Sequence, residues 1–237
     1  MYTIEPKHWY TILEILGKHA GEIDWVKLFG SRARGDARMT SDVDLAVSGG
    51  GSAAPRLSAA FEDSKLPYTF DVIDYKNLTN ENLKLAIDTE GKLVYSNAGG
   101  RTVMTKLQIE TKQSDYHRAL ERLQSALKKE PDADAIYLDA TIQRFEFCFE
   151  LAWKLMKALL DYEGIEVNSP RSSIREGWKQ GLIADAEIWL DMQEKRNLST
   201  HTYNESTALE VYRMIKEKYA GSLTDLDREV RRRLEEM

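Results

Sequence analysis

The hydrophobic periodicity of the chain changes near residue 100, and this change constrains the fold more than any other feature. Before it, short runs such as Asp42–Val47 alternate between apolar and polar residues, and helical patterns separate them. After it, apolar residues recur every three or four positions, as in Tyr116–Leu127. The pattern predicts an α/β domain in residues 1–97 and an all-helical domain in residues 106–237.

Strands and helices are predicted to alternate in the first domain. The strand at 42–47 is expected to be half-buried, with Asp42, Asp44 and Ala46 on its exposed face. The other predicted strands are at 25–29, 68–73 and 92–95, and the main helices are at 6–20, at about 53–64 and at 80–90.

Residues 98–105 are predicted to form a linker between the domains, because Ser96–Arg101 is small, polar and rich in glycine. In the second domain, the helical spacing of apolar residues predicts an all-α, up-and-down bundle of four or five helices. The widest apolar stripe, which we expect to be buried, comprises Phe145, Phe149, Ala152, Trp153, Met156 and Leu160.

Composition excludes several classes of protein. Cys148 is the only cysteine, so the chain has no internal disulfide and no zinc site built on cysteines. The net charge is −6, and both halves are more acidic than basic, so any contact with nucleic acid must be local. Because Met1–Lys7 lacks a secretion signal and no run approaches the roughly 20 apolar residues of a membrane span, we expect a cytoplasmic protein without membrane contact.

Two aspartates lie two positions apart in the strand predicted at 42–47. Asp42 and Asp44 would project from the same side of that strand, roughly 6–7 Å apart, which suits carboxylates that share a divalent cation. Oxygen ligands with no histidine or thiol nearby favour Mg²⁺ or Mn²⁺. An Asp-x-Asp pair by itself is also typical of a solvated strand edge.

Gly30 and Ser31 follow the strand predicted at 25–29 and begin a helical segment. Glycine permits a tight turn there, and serine is a favoured first residue of a helix. Unpaired backbone N–H groups and the positive end of the helix dipole at such a turn bind phosphate. Together with the aspartates, the turn favours a site for a nucleoside triphosphate and its metal ions.

The same residues belong to a longer motif: Gly30–Gly35 is Gly-Ser-Arg-Ala-Arg-Gly, and Ser41–Leu45 is Ser-Asp-Val-Asp-Leu. This combination closely resembles the motif of the minimal nucleotidyltransferases, a family within the DNA polymerase β-like superfamily. The resemblance extends over about residues 5–96. It implies the nucleotidyltransferase fold, a mixed sheet with flanking helices, and a third carboxylate from a later strand, for which Asp71 and Asp74 are candidates.

We predict Asp71 as that third carboxylate, because it lies mid-strand among apolar neighbours, where a buried charge needs a metal or a partner. Two alternatives remain for Arg32: it neutralises negative charge at the site, or it is a solvated arginine at the surface. The resemblance implies Mg²⁺ (or Mn²⁺) as cofactor and a nucleoside triphosphate, ATP, as substrate, with an acceptor hydroxyl that attacks the α-phosphorus. Its implied site residues are Asp42, Asp44 and Asp71 for metal and catalysis, and Gly30, Ser31 and Arg34 for the nucleotide.

In the helical domain, Arg196 and His201 are five positions apart, which leaves them about 140° apart on a regular helix. One unbroken helix does not bring them together. We therefore expect either a distortion near Ser199 and Thr200 or a site assembled between two subunits.

Arg196 and His201 followed by Tyr203 resemble the Arg-x-x-x-x-His-x-Tyr motif of HEPN domains, particularly those encoded beside minimal nucleotidyltransferases. The segment Thr141–Trp153 is also similar to that subgroup, and the resemblance covers about residues 106–225. HEPN relatives often dimerise, so we expect a homodimer.

The HEPN resemblance implies two activities. Many HEPN proteins are metal-independent ribonucleases, with Arg196 and His201 as the matching catalytic residues and RNA as the partner. In toxin–antitoxin pairs, the nucleotidyltransferase silences that activity by transferring AMP to the tyrosine that matches Tyr203. We predict nucleotidyl transfer from ATP to the HEPN domain of the same chain or of a second subunit. The alternatives are a ribonuclease regulated in cis and an aminoglycoside-type transferase that acts on a small molecule.

Overall fold

The computed structural model describes residues 4–98, 101–128, 135–199 and 205–237. The chain divides into two units, Met1–Gln108 and Ile109–Met237. Alternating strands and helices form the first unit, as predicted. Its elements are α1 (Pro6–Lys18), β1 (Ile23–Phe29), α2 (Gly30–Arg34), β2 (Val43–Gly49), α3 (Ala53–Glu62), β3 (Phe70–Asp74), α4 (Glu81–Glu90), β4 (Lys92–Ala98) and β5 (Arg101–Val103).

Local sequence explains where several of these elements begin and end. Pro6 occupies the first turn of α1, where its missing N–H has no partner to lose. The Asn80 side chain accepts a hydrogen bond from the Leu83 backbone N–H at 3.1 Å and so begins α4, which ends before Gly91. The predicted helix at 80–90 is therefore confirmed.

The strand order of the sheet is β3-β2-β1-β4-β5. Strand β2 runs parallel to β3 and antiparallel to β1, so the predicted mixed sheet is confirmed. In this arrangement, the last residue of β1 lies beside the first residues of β2 and β3. Phe29 pairs with Asp44, and Asp44 pairs with Asp71.

Apolar residues cover both faces of β2. Leu45 belongs to the main core formed with α1 and α3, whereas Ala46 packs with Phe29 and Ile87 on the opposite face. The prediction that β2 is half-buried is therefore wrong for Ala46, because α4 covers the face that was expected to be exposed. Asp44 is then an acidic residue within a strand that is otherwise largely buried.

The predicted linker at 98–105 is partly wrong. Strand β4 continues to Ala98, and β5 pairs with it antiparallel, with Ser96 opposite Val103. This pairing gives hydrogen-bond partners to backbone groups that β4 would otherwise leave unpaired at the edge of the sheet. Leu107 is also buried in the core of the first unit.

Helices make up the second unit, which confirms the predicted all-helical domain. Six α-helices begin in or continue into it among the described residues. They are α5 (Lys106–Leu127), α6 (Ala135–Tyr162), α7 (Pro170–Lys179), α8 (Ala186–Ser199), α9 (Glu205–Met214) and α10 (Ala220–Glu236), and a π-helical turn, Ile215–Tyr219, joins the last two. None of the helices described here combines the length and apolar character that crossing a membrane requires.

The predicted apolar stripe of α6 lies in the core of the second unit, with Trp153 as the exception. Phe145 and Phe149 are buried, and Tyr219 stacks on Phe145 with ring centroids 5.5 Å apart. Trp153 is only partly buried, and its indole N–H donates to a Glu150 carboxylate oxygen at 3.0 Å. The expectation of burial is wrong for Trp153, which combines apolar packing with a polar contact.

A buried carboxylate joins α5 to α10. Asp227 accepts a hydrogen bond from the Gln113 amide at 3.0 Å, and it lies 3.1 Å from both His117 Nδ1 and Arg231 Nε. It is only 8% exposed, so these three groups replace the water that the carboxylate loses on folding.

Asp227→Ala is expected to reduce the free energy of unfolding by about 2–3 kcal/mol, because it leaves donors near the core without an acceptor. Chemical denaturation followed by circular dichroism measures this change. Asp225→Ala is the matched control, since Asp225 pairs with Arg228 at the surface, and we expect it to change stability by less than about 0.5 kcal/mol. Equal effects of the two substitutions would contradict the structural role of Asp227.

Candidate functional site

Strand pairing brings the predicted catalytic residues of the first unit together at one end of the strands, where β2 and β3 begin and β1 ends. Asp44 lies in register with Asp71 on the neighbouring parallel strand, and Asp42 directly precedes β2. Adjacent strands are about 4.8 Å apart, so the Asp44 and Asp71 side chains are close neighbours. Gly30 follows the residue that pairs with Asp44 on the other side.

The carboxylate of Asp44 lies in an unfavourable environment for its charge. Burial raises its pKa, and the negative charges of Asp71 and Asp42 raise it further, whereas Arg32 and Arg34 act in the opposite direction. Among the described residues, no hydrogen bond or ion pair compensates any of the three carboxylates. Such an arrangement favours a bound cation.

Asp71 is exposed, so the reason given for choosing it from the sequence is wrong. Its register with Asp44 supports it instead. Asp74 pairs with Val47, three positions further along the sheet, and its carboxylate accepts hydrogen bonds from the backbone N–H of Lys76 at 2.9 Å and of Asn77 at 3.3 Å. Asp74 therefore stabilises a turn, and the assignment of Asp71 to the metal stays a prediction.

Gly30 lies directly against Asp44. Its φ is +70°, a conformation that favours glycine, and a Cβ at this position would overlap Oδ2 of Asp44. Ser31 follows and is partly buried. The glycine therefore allows the turn and the carboxylate to approach each other closely.

Helix α2 is short. It spans five residues and ends at Gly35, which has a φ of +88°. Because a macrodipole needs several aligned turns, its contribution here is small. The groups that remain for a phosphate are the backbone N–H groups of the turn and the hydroxyl of Ser31.

Arg34 is half-exposed at the edge of the same site. Its guanidinium lies 3.4 Å from Glu90 and 3.5 Å from Asp36. Exposed pairs of this kind contribute little to stability, so the side chain can exchange them for a phosphate. Its nucleotide-binding role stays a prediction.

Sequence reasoning left the role of Arg32 open, and the structure buries it. The side chain is 1% exposed and donates to backbone carbonyls of the segment that leads into β2. One feature of the sequence could have indicated this burial, namely the position of Arg32 inside a helix that directly follows a buried strand.

The carboxylate oxygens fit Mg²⁺ or Mn²⁺ by their chemistry, since these ions prefer hard oxygen ligands. Across the part of the chain that the structure describes, no group of three His, Cys, Asp or Glu side chains forms a ready metal cage. Mg²⁺ does not require one, because it is commonly held by one or two carboxylates together with substrate phosphates. The pair Asp42 and Asp44, with Asp71 beside them, meets that requirement.

A second polar cluster lies in the helical unit. Arg196 of α8 lies 3.6 Å from Glu150 of α6, which also contacts Lys154 at 2.9 Å. Burial acts to raise the pKa of Glu150, but hydrogen bonds from Trp153 and Lys154 and the charges of Lys154 and Arg196 outweigh it and lower the pKa. Glu150 is therefore ionised at neutral pH. Sequence reasoning did not single it out as a partner of Arg196.

Arg196 and Glu150 line a cavity of about 780 Å³. Arg122, Arg144 and Glu146 also line it, so three guanidinium groups and two carboxylates border a space of roughly the size of a nucleotide. The other predicted residues, His201 and Tyr203, lie outside the described residues.

Comparisons with known proteins match both units. Residues 111–232 match the family model described as nucleotidyltransferase substrate binding protein like. Residues 11–99 match the model described as polymerase beta, nucleotidyltransferase. The chain is 35% identical over 79 residues to Probable ribonuclease HepT of Haemophilus influenzae. The matched segment covers 31% of this chain and 54% of that protein. The chain thus spans about half the length of the curated relative it matches.

Solved structures also resemble parts of the chain. A protein from Thermus thermophilus is 37% identical, with coverage of 50% of this chain and 98% of that chain and a TM-score of 0.44. A toxin–antitoxin structure with AMP-PNP is 22% identical, with coverage of 48% and 91% respectively and a TM-score of 0.33.

Mg²⁺ or Mn²⁺ is expected to raise the Tm of the full chain, because a ligand that binds only the folded state stabilises it by mass action. Asp44→Asn and Asp71→Asn should each remove most of this shift. Asp74→Asn should retain it, since an amide oxygen can still accept the turn hydrogen bonds. Differential scanning fluorimetry over a series of metal concentrations measures the effect. If Asp74→Asn removes the shift and Asp71→Asn does not, the choice of third carboxylate is wrong.

Proposed function

We infer the function from the family: the chain belongs to the nucleotidyltransferase substrate-binding-like proteins and also carries a nucleotidyltransferase domain. The predicted resemblance to minimal nucleotidyltransferases and to their HEPN-like partners is thereby confirmed. We propose that the chain transfers AMP from ATP to an acceptor hydroxyl in a reaction that depends on Mg²⁺. The proposed acceptor is Tyr203 of its own helical unit or of a second copy.

The observation that carries this proposal is the position of Asp44. It lies between Asp71 on one neighbouring strand and the Gly30 turn that follows the other. A triphosphate at the turn and a cation at the carboxylates would therefore be adjacent.

Asp42 and Asp44 would hold the cation, with Asp71 completing the site. When bound, a divalent cation neutralises charge on the triphosphate and on the leaving group. The carboxylate of Asp71 takes the proton from the acceptor oxygen, which forms a bond to the α-phosphorus. The bond from that phosphorus to the oxygen of the β-phosphate breaks, and pyrophosphate leaves.

A tyrosine suits this chemistry, because a phenol loses its proton more readily than an aliphatic alcohol. AMP on Tyr203 would place a negative charge and a bulky group two residues from His201. An RNA phosphate would then be repelled from the same place. The proposed outcome is a helical unit whose activity is controlled by adenylylation, as in a toxin–antitoxin system.

The full chain incubated with Mg²⁺ and ATP is expected to gain the mass of one adenylate, located on Tyr203 by peptide mapping. Asp44→Asn should abolish the gain, because it removes a proposed metal ligand. Tyr203→Phe should also abolish it while leaving the nucleotide site intact. Intact-mass spectrometry measures all three. Full labelling of Asp44→Asn would rule out the proposed site.

A mixture of two variants tests whether transfer occurs between copies. Tyr203→Phe retains the proposed catalytic site but lacks the acceptor, and Asp44→Asn retains the acceptor but lacks the catalytic site. Because their masses differ, labelling of the Asp44→Asn chain in the mixture would demonstrate transfer between molecules. If the wild type gains adenylate but neither variant does so in the mixture, transfer occurs within a single chain.

A specific observation favours ribonuclease activity as a second candidate function. Three arginines, including Arg196, line the cavity of the helical unit together with two glutamates, and these arginines would offer charge compensation to an RNA phosphate. In this proposal Arg196 stabilises the charge that develops at phosphorus, and His201 moves the proton of the 2′-hydroxyl.

RNA cleavage by the unmodified chain is expected to persist in EDTA, because neither residue needs a metal. His201→Ala and Arg196→Ala should each lower the rate by about 100-fold or more. Arg228→Ala is the matched control, since Arg228 is an exposed arginine of the same unit that pairs only with Asp225 among the described residues. Gel analysis of a labelled oligoribonucleotide measures the rates. Cleavage that Arg196→Ala leaves unchanged would contradict this function.

A further inference from the structure

Arg32 is a fully charged side chain in an almost fully buried position. Its side chain is 1% exposed, although a guanidinium carries a positive charge. Removal of such a charge from water is unfavourable unless the surroundings supply several hydrogen bonds. The partners of Arg32 therefore indicate what it does.

The hydrogen-bond partners of Arg32 among the described residues include backbone carbonyls of one segment. The Nε atom donates to the carbonyls of Ser41 and Asp42, both at 3.1 Å. The Nη2 atom donates to the carbonyl of Ser41 at 2.6 Å and to that of Met39 at 3.4 Å. Residues 36–42 contain no helix or strand, so the guanidinium provides donors that regular structure does not.

The plane of the guanidinium also contacts the segment that leads to β3. Its central carbon lies 4.8 Å from the centroid of the Tyr68 ring, a cation–π distance. The Tyr68 hydroxyl lies 2.8 Å from His8 Nδ1 of α1, which holds the ring in place. Arg32 thus links the segment that ends at Asp42 to the segment that begins the strand of Asp71.

Its burial excludes the role of a phosphate ligand. Arg34, two positions later, is exposed and can reach a nucleotide, whereas Arg32 is enclosed by the protein. The contact with the Asp42 carbonyl fixes the backbone of a residue whose own carboxylate is exposed. Arg32 thus holds the Asp42 carbonyl where the loop enters β2, and the next backbone N–H, that of Val43, donates to the Thr69 carbonyl at 2.8 Å.

We propose that Arg32 is a positioning residue, whose guanidinium fixes the loop before β2 and thereby the place of Asp42 relative to Asp44 and Asp71 before metal or nucleotide binds. The inference rests on the proposed nucleotidyl transfer and names a determinant of its metal affinity. Lysine cannot replace Arg32, because an ammonium group lacks the planar fork that reaches several carbonyls at once and stacks on Tyr68.

Arg32→Lys in the full chain tests the proposal, with Arg38→Lys as the matched control. Arg38 lies in the same loop and is exposed, and the same change in side chain there is expected to have no effect. The first measurement is the affinity for Mn²⁺ alone, from electron paramagnetic resonance of the free ion. The second is the Mg²⁺ concentration that gives half-maximal AMP transfer, measured separately from the maximal rate.

Arg32→Lys is expected to weaken Mn²⁺ binding by about 10-fold or more, the usual effect of removing a residue that supports a metal ligand. The Mg²⁺ requirement of transfer should rise by a similar factor. A purely structural role would lower the Tm without changing the affinity of the folded molecules. Folded Arg32→Lys with wild-type affinity for Mn²⁺ would therefore overturn the proposal.

Tyr68→Leu provides an independent variant, should Arg32→Lys fail to fold. It removes the stacking platform but keeps the buried charge and its carbonyl partners, and it should weaken Mn²⁺ binding at least about threefold. Unchanged binding in Tyr68→Leu would count against the proposal. If Arg32→Lys weakens Mn²⁺ binding but the wild type transfers no AMP, the positioning role stands and the proposed function fails. If the wild type transfers AMP and Arg32→Lys binds Mn²⁺ as tightly as the wild type does, the proposed function stands and the positioning role fails.

Discussion

Repulsion among three carboxylates is the interaction that the first unit must withstand. Asp44 lies between a strand that carries a second aspartate and a glycine turn that its own side chain nearly touches. The burial of Leu45 and Val47 maintains this arrangement, because a slip of one residue in β2 would exchange its two faces and move these larger side chains from the main core to the smaller cluster around Ala46. The free energy of apolar burial thus offsets an electrostatic strain that a cation would relieve.

The charge balance differs between the candidate sites of the two units. In the first, Arg32 and Arg34 only partly offset the charges around Asp44, which favours a cation; in the second, three arginines and two glutamates line the cavity, an excess of one positive charge. In the second, Glu150 already contacts Arg196, and an anionic ligand would have to compete with that carboxylate.

Short-range patterns predicted the parts of the fold that depend on short-range physics. The ends of α4 follow from Asn80 and Gly91, and the Gly30 turn follows from the need for a positive φ. Features that depend on distant contacts could not be predicted in this way. The burial of Arg32 requires Tyr68, which lies 36 positions later, and the pairing of Asp44 with Asp71 requires the register of a parallel strand.

The π-helical turn at Ile215–Tyr219 has a geometric consequence for the C-terminal helix. A turn of this kind contains one residue more than an α-helical turn, so every residue after it is rotated by about 100° relative to an uninterrupted helix. In the rotated register, Leu223 accepts a hydrogen bond from the Tyr116 hydroxyl at 2.7 Å, and Asp227 meets α5. The single extra residue thus selects which stripe of α10 faces inward, and its loss would turn arginines toward the apolar interior.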